Sequence, residues 1–182
     1  RREGASLKLE DPQTFRMENY PSGTVSVNDL RSRLSGYAHE GFHADVIIVD
    51  YADILAPIDK REVRRDQYDT TWKALRALSQ ELHCLVVTAT QASKESYKAH
   101  TVRKHHISED KRKNSHLVSM FTISATEDEK ELQMCRLTCE YWRNGKPPPP
   151  VYVGGCLPLA LPVTASAWVR EKKRKGKTGG QD

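Results

Sequence analysis

The sequence predicts an α/β fold in which a mostly parallel sheet is flanked by helices and gains antiparallel strands late in the chain. Residues 45–50 comprise four branched apolar residues between two acids, a pattern typical of a strand buried on both faces of a parallel sheet. Residues 83–90 contain a second apolar run of this kind. The segment between the runs is long, and a connection of that length indicates parallel strands with a right-handed crossover.

Two helices are predicted around these strands. The first begins at a cap formed by Asn28 or Asp29 and places Leu30 and Leu34 on one face. The second covers residues 66–82, where five apolar or aromatic residues recur at helical spacing. The order of strand, helix and strand therefore predicts one crossover unit with a buried helical face.

The later part of the chain predicts antiparallel strands. Residues 117–124 and 132–142 have strand character, and an acidic turn lies between them at residues 127–131. Residues 143–146 read as a tight turn that ends the second of these strands. Because the connections are short, we expect the strands to extend the sheet in the antiparallel sense.

Three regions of different character follow from this pattern. Residues 1–146 form the predicted folded domain, and four consecutive prolines stop regular structure directly after it. Residues 147–169 are expected to be an irregular extension rich in Pro and Gly. Residues 170–182 are basic and glycine-rich, which predicts a disordered tail.

Composition limits the class of protein. The chain has 182 residues, of which 37% are hydrophobic and 29% charged, as in a soluble globular domain. No apolar run is long enough to cross a bilayer and no secretory signal is visible, so we expect a cytoplasmic protein without a membrane partner. The first residue is Arg1 rather than Met, and we expect the chain to be part of a longer protein. The net charge of +5 permits a polyanionic partner.

Two polar residues follow the two predicted parallel strands. Asp50 ends the first strand, where open α/β sheets bind ligands, and its carboxylate can hold the Mg²⁺ of a bound triphosphate. The alternative is an ordinary turn or capping acid. Asp53 is a second candidate for the metal, or it faces solvent. Gln91 follows the second strand at the same edge, where its amide can contact a terminal phosphate, and the alternative is an exposed polar residue.

A basic segment and one arginine complete the candidate site residues. A flexible basic loop after Gln91 can neutralise nucleic-acid phosphates without reading bases, or it is simply a solvated charged loop. Arg143 lies in a predicted turn, where a guanidinium can stabilise charge on a transferring phosphoryl group or serve only as a surface residue. The candidate DNA-binding residues are Lys94, Lys98, Arg103, Lys104, Lys111, Arg112 and Lys113.

One apparent nucleotide motif near the end of the chain is rejected. Gly176, Lys177 and Thr178 resemble the end of a phosphate-binding loop, but Glu171 occupies the position where that loop needs its first glycine. The motif also requires a strand before it and a helix after it, and the glycine-rich tail predicts neither. No other stretch of the sequence matches a phosphate-binding loop.

The order of these features resembles the carboxyl-terminal half of a RecA-like ATPase domain, most closely that of DnaB-type replicative helicases. The resemblance covers roughly residues 20–147, and its strength lies in the order and spacing of loose motifs. The matching segments are residues 45–51 (DVIIVDY), Arg64, residues 75–82 (LRALSQEL), residues 88–91 (TATQ), residues 107–110 (ISED), residues 118–121 (VSMF) and residues 141–145 (YWRNG).

The resemblance implies a role for each candidate residue. Asp50 would be the Walker B acid that holds the Mg²⁺ of bound ATP, Gln91 the phosphate sensor, and Arg143 the finger that reaches a neighbouring subunit's nucleotide. The basic loop would contact single-stranded DNA in the channel of a hexamer. Three departures limit this reading: the family's Walker A loop and catalytic glutamate are absent from the sequence, Tyr141 replaces a family lysine, and the basic loop is longer.

The resemblance therefore implies a fragment of an ATP-dependent DNA helicase or translocase, from a bacterial, phage or viral source, that self-associates into a ring or filament. We expect the fragment alone not to hydrolyse ATP. Two alternatives remain open from sequence. One is a recombination or repair ATPase of the RecA or RadA type, and the other is a remnant that binds nucleic acid without hydrolysing nucleotide.

Overall fold

A computed structural model describes residues 14–91, 115–156 and 161–168 of the chain. The chain divides into two compact units. The first unit contains residues 1–93 and 107–117, and the second contains residues 94–106 and 118–182. Each unit has a sheet of its own, and the two sheets differ in strand direction.

The first unit is an α/β arrangement built on a parallel strand pair. Its elements are helix α1 (Val27–His39), strand β1 (Val46–Val49), a 3-10 helix (Ala52–Ile54), helix α2 (Arg64–Glu81) and strand β2 (Leu85–Thr88). Strands β1 and β2 pair in parallel, from Val46 opposite Leu85 to Val49 opposite Thr88. The predicted parallel crossover through a long helix is therefore confirmed.

Helix α1 begins earlier than the sequence pattern predicts. Its N-cap is Ser26, whose hydroxyl accepts a hydrogen bond from the Asp29 backbone N–H at 3.4 Å. The Asp29 carboxylate in turn accepts from the Ser26 backbone N–H at 2.8 Å, which completes a capping box. The prediction that Asn28 or Asp29 caps the helix was wrong, because Asp29 acts from inside the first turn. Donation from the Ser26 hydroxyl and backbone lowers the pKa of the Asp29 carboxyl.

The core of the first unit lies between α1, α2 and the inner face of the strand pair. Its buried residues are Val27, Ala52, Trp72, Leu75 and Leu78. Three of them come from α2, at the helical spacing that predicted a buried face. Among the described residues, no helix combines the length and the apolar character needed to span a membrane.

The strand pair is covered on one face, which corrects the prediction of a strand buried on both faces. Ile47 and Val49 of β1 pack against the core, as does Val86 of β2. Side chains alternate along a strand, so the intervening residues point away from that core. Ile48 is accordingly 73% exposed. The exposed apolar face comprises Val46, Ile48, Leu85 and Val87.

The second unit is an antiparallel sheet of four strands. Its elements are β3 (Ser119–Ser124), α3 (Glu127–Glu131), β4 (Met134–Trp142), β5 (Val151–Cys156) and β6 (Leu161–Trp168). The strands follow one another in sheet order, and each neighbouring pair is antiparallel. The late antiparallel strands are therefore confirmed, although they are more numerous than predicted. The expectation that they extend the parallel sheet was wrong, because β3 to β6 form a four-stranded sheet of their own, separate from the pair of β1 and β2.

Residues 151–168 correct the prediction of an irregular extension. Strands β5 and β6 form a hairpin in which Val151 lies opposite Trp168. Glycines and prolines hid these strands from sequence analysis, since both residue types usually interrupt a strand. Pro162 lies in β6, the last strand of this sheet, and edge strands are where proline is tolerated. The predicted disordered tail lies outside the described residues.

The predicted acidic turn at residues 127–131 is helix α3. Thr126 caps it, because the Thr126 side chain accepts a hydrogen bond from the Glu129 backbone N–H. The Glu129 carboxylate in turn accepts a hydrogen bond from the Thr126 backbone N–H at 2.7 Å. Glu129 also pairs with Arg136 at 3.0 Å, and both side chains are largely buried. Burial alone would raise the pKa of the Glu129 carboxyl, but the Thr126 N–H and the Arg136 guanidinium together lower it.

Candidate functional site

Asp50 and Gln91 lie at the same edge of the parallel strand pair. Asp50 directly follows β1, and Gln91 follows β2 after two intervening residues. Since β1 and β2 run in the same direction and Val49 lies opposite Thr88, both residues emerge at the carboxyl edge. Both are exposed. The predicted placement of these two residues agrees with the structure, whereas their chemical roles stay predictions.

Hydrogen bonds join the two strand ends across this edge. The Gln91 side-chain amide donates to the Tyr51 hydroxyl at 3.2 Å. The Thr88 hydroxyl donates to the Val49 carbonyl at 2.8 Å and accepts from the Ala52 backbone N–H at 2.9 Å. The segment after β1 is thereby fixed against the segment after β2. The peptide bond between Asp50 and Tyr51 is cis.

Asp53 forms a third link between the same two segments. Its Oδ1 accepts from the Trp72 indole N–H at 3.2 Å, and its Oδ2 accepts from the Thr90 hydroxyl at 2.5 Å. The sequence offered Asp53 as a second metal ligand or as a solvent-facing residue. The side chain is half-buried and each carboxylate oxygen accepts a hydrogen bond from the protein, so the solvent-facing description does not fit and the metal role stays a prediction.

A cavity of about 240 Å³ opens beside Asp50. The residues that line it include Ile48 and Asp50 at the end of β1, and Arg33 and Tyr37 of α1. Glu18 also lines it and accepts hydrogen bonds from the Arg33 Nε at 2.6 Å and from the Tyr37 hydroxyl. Charged and phenolic groups therefore line the same cavity as branched apolar residues.

The Glu18 network perturbs two titratable groups beside this cavity. Burial raises the pKa of the Tyr37 phenol, and the hydrogen bond to the Glu18 carboxylate raises it further. Burial would also raise the pKa of Glu18, but hydrogen bonds from Tyr37 and Arg33 lower it on balance. The Glu18 carboxylate is thus engaged by a phenol and a guanidinium, and Asp50 is the other acid that lines the cavity.

The exposed Asp50 carboxylate suits Mg²⁺ held together with phosphate. Mg²⁺ keeps several waters and binds through one or two carboxylates plus substrate phosphates, so it does not require a cage of protein ligands. In the part of the chain that the structure describes, no group of three His, Cys, Asp or Glu residues could hold a metal by itself. The residues present therefore fit Mg²⁺ that arrives with a nucleotide.

The remaining candidate residues lie elsewhere. Arg143 is exposed in the turn after β4, in the second unit, and its backbone N–H donates to the Val118 carbonyl at 2.8 Å. The predicted turn is confirmed, and the role of the guanidinium stays a prediction. The predicted DNA-binding residues, Lys94, Lys98, Arg103, Lys104, Lys111, Arg112 and Lys113, lie outside the described residues.

Sequence analysis missed three residues that shape the edge. Tyr51, Thr88 and Thr90 each form a side-chain hydrogen bond between the segments that follow β1 and β2. The available signal was the spacing of the two threonines, whose hydroxyls at alternate positions end an otherwise apolar run. Hydroxyls at the end of a buried strand can satisfy backbone groups of a neighbouring strand, which is the role of Thr88 here.

Comparison with solved structures identifies two similar folds. A solved ATPase domain matches with a TM-score of 0.64 and 16% identity, over 72% of this chain and 48% of that one. A DnaB-like replicative helicase, solved in a study of its interactions with primase, matches with a TM-score of 0.65 and 15% identity, over 72% of this chain and 33% of that one. The RecA-like α/β fold is thereby confirmed, and the chain spans about half of the first structure and a third of the second. No family model matches the chain, and no curated protein sequence matches it.

Proposed function

We propose that this chain is the Walker B, sensor and DNA-loop half of the ATPase domain of a DNA helicase or translocase. The observation that carries the proposal is the emergence of Asp50 and Gln91 from adjacent parallel strands at one edge. Ligands of open α/β sheets bind outside the carboxyl ends of the strands, and this edge is such a position. The fold shared with an ATPase domain and with a DnaB-like replicative helicase supports the same assignment.

Each site residue has a distinct part in the proposed reaction. Bound ATP with Mg²⁺ supplies the phosphoryl group that is transferred to water. Asp50 would hold the Mg²⁺ at the strand end, and the Gln91 amide would donate a hydrogen bond to the terminal phosphate. Arg143 donates to the nucleotide held by a neighbouring subunit, which requires self-association into a ring or filament.

The proposed partner is single-stranded DNA. The seven Lys and Arg residues from Lys94 to Lys113 would contact backbone phosphates, which basic side chains can do without sequence preference. Gln91 lies directly before this segment, so a change in its position is passed to the DNA contacts. We place this activity in the cytoplasm of a bacterium or of a cell infected by a phage or virus.

The proposal assigns ATP hydrolysis to a larger protein. The sequence contains no phosphate-binding loop, and the chain spans only part of the two solved structures that it resembles. We therefore expect the 182-residue chain to bind single-stranded DNA and to show no ATP turnover of its own. If the purified chain hydrolyses ATP and Asp50→Ala abolishes this hydrolysis, the assignment of ATP hydrolysis to a larger protein is refuted.

DNA binding can be tested on the chain itself by fluorescence anisotropy with a labelled oligothymidylate at several salt concentrations. Replacement of Lys94, Lys98 and Arg103 by Ala should reduce the slope of log K against log salt by about 2, since each phosphate contact contributes about 0.7. The matched control replaces Lys60, Arg61 and Lys73 by Ala. These residues are exposed on the first unit, and their replacement removes the same amount of positive charge. If the two triple variants have equal slopes of log K against log salt, the basic segment is not part of the DNA interface.

The nucleotide site is tested in the protein that contains the complete ATPase domain. Asp50→Asn should lower kcat for ATP hydrolysis by roughly 100-fold or more, because it replaces the carboxylate that would hold the Mg²⁺ with a neutral amide. Asp45→Asn, at the opposite end of β1, is the matched control and should leave kcat within about twofold of wild type. Equal rates for the two variants would contradict the assignment of Asp50.

A further inference from the structure

We propose that Asp53 is a positioning residue that holds Gln91 at the nucleotide edge. Asp53 lies in the 3-10 helix just after β1, three residues beyond Asp50. Its carboxylate bridges the Thr90 hydroxyl and the Trp72 indole. The inference rests on the proposed function, because it concerns the residue assigned there as the phosphate sensor.

The bridge connects the edge to the buried core of the first unit. Trp72 is 5% exposed and belongs to the buried core cluster. A side chain packed in such a core has a fixed rotamer, so its N–H offers Asp53 a fixed donor. The second oxygen of Asp53 then fixes the Thr90 hydroxyl at 2.5 Å. The order of contacts runs from the core through Trp72 and Asp53 to the residue that precedes Gln91.

The same bridge determines where the Gln91 amide can lie. Thr90 and Gln91 share a peptide bond, so a fixed Thr90 restricts the backbone from which the Gln91 side chain extends. That side chain donates to the Tyr51 hydroxyl at 3.2 Å, next to Asp50. Because Gln91 is exposed, burial does little to define its position. We therefore assign its placement to the hydrogen bonds on either side of it.

The hydrogen bonds of Asp53 suggest a conservative replacement that removes its charge and keeps its two hydrogen-bond contacts. In Asp53→Asn, the amide oxygen can accept from Trp72 while the amide NH2 donates to the Thr90 hydroxyl, which accepts as readily as it donates. Asp53→Ala removes both contacts. Thr90→Val keeps the size of the side chain and removes only the hydroxyl, so it breaks one contact with little risk to folding.

The first experiment uses NMR spectroscopy of the 182-residue chain and does not depend on ATP. The Gln91 side-chain NH2 should show an NOE to the Tyr51 ring in wild type and in Asp53→Asn. Both Thr90→Val and Asp53→Ala should lose this NOE, because each removes the hydrogen bond between the Thr90 hydroxyl and the Asp53 carboxylate. Thr70→Val is the matched control, since the Thr70 hydroxyl donates to the Glu62 carboxylate at 3.0 Å in α2.

Each outcome of this experiment decides the inference. Loss of the NOE in Thr90→Val and Asp53→Ala, with retention in Asp53→Asn and Thr70→Val, supports it. Retention of the NOE in Asp53→Ala overturns it. Loss in Asp53→Asn to the same extent as in Asp53→Ala also overturns it, because the charge rather than the hydrogen-bond geometry would then be responsible.

The second experiment measures DNA-stimulated ATP hydrolysis in the protein that contains the complete ATPase domain. Thr90→Val and Asp53→Ala should lower kcat about tenfold with KM for ATP unchanged, and Asp53→Asn should recover most of the loss. If Gln91→Ala leaves kcat unchanged, the proposed sensor role fails. If Gln91→Ala lowers kcat while Asp53→Ala and Thr90→Val do not, the positioning role alone fails.

Discussion

Replacement of Leu78 by Ala tests whether the core beneath the candidate site lies where the structure places it. Leu78 is completely buried in α2 and packs in the cluster that supports the inner face of β1. Removal of three buried carbons costs about 2.4 kcal/mol at about 0.8 kcal/mol each, and the residual cavity adds roughly 1–2 kcal/mol. The expected loss is therefore about 3.4–4.4 kcal/mol, a large fraction of the roughly 5–15 kcal/mol that stabilises a typical domain.

The assay is urea unfolding followed by the fluorescence of Trp72, in a background where Trp142 and Trp168 are replaced by Phe. At a slope of about 1.5 kcal/mol/M, the Leu78→Ala midpoint should fall by roughly 2–3 M. The control is Leu82→Ala, directly after the same helix, where the side chain is 41% exposed and the expected loss is below about 1 kcal/mol. Equal losses for the two variants would refute the placement of the core.

Three further predictions concern stability in other parts of the chain. Glu129→Gln should cost about 1–3 kcal/mol at pH 7. The lowered pKa of Glu129 contributes stability that is present above the unfolded pKa near 4.3 and is lost as pH falls through the folded value, so the acid unfolding curves of wild type and variant should converge as pH falls through that lowered pKa. Ile47→Ser should cost about 2–3 kcal/mol and Ile48→Ser less than about 0.5 kcal/mol in urea unfolding, and a reversed order would contradict the assignment of the two strand faces. Asp69→Ala should lower the free energy of unfolding by about 1 kcal/mol, because the Asp69 Oδ1 lies 3.0 Å from the His116 Nε2 in a partly buried contact. A double-mutant cycle with His116→Ala should show that the two losses of stability are not additive.

The contacts of α2 give this helix a role at the candidate site. Trp72 reaches the nucleotide edge through Asp53 and Thr90. One turn earlier, Asp69 contacts His116, and the neighbouring Leu117 packs against the core. Residues on both sides of the segment 92–114 are therefore tied to one face of a single helix. A helix that is itself packed in the core gives these residues a stable reference position.

Local patterns predicted much of the candidate site. Consecutive branched residues with an acid at the end identified β1 and Asp50, and the helical spacing of the residues after Tyr68 identified α2. A connection of that length between strands favours a parallel pair, and parallel strands place their final residues at one edge. The position of Gln91 beside the end of β1 could therefore be predicted without coordinates.

Features that depend on distant residues could not be predicted in this way. The side-chain oxygens of Asp53 have no recognisable pattern, because their donors lie 19 and 37 residues away in the chain. The hairpin of β5 and β6 was missed because a glycine or proline in a strand is acceptable only in a particular sheet position. The Ser26 cap was missed because three neighbouring residues all have capping side chains.

By itself, the sequence determined the α/β class, the parallel strand pair and the edge from which Asp50 and Gln91 emerge, since each depends on spacing along one stretch of chain. The tertiary structure alone decided which face of the strand pair is covered, and which groups donate hydrogen bonds to the Asp53 carboxylate. The physical reason is that apolar periodicity is fixed locally by the geometry of helices and strands. Burial and hydrogen-bond partners depend instead on which distant segments meet in the fold.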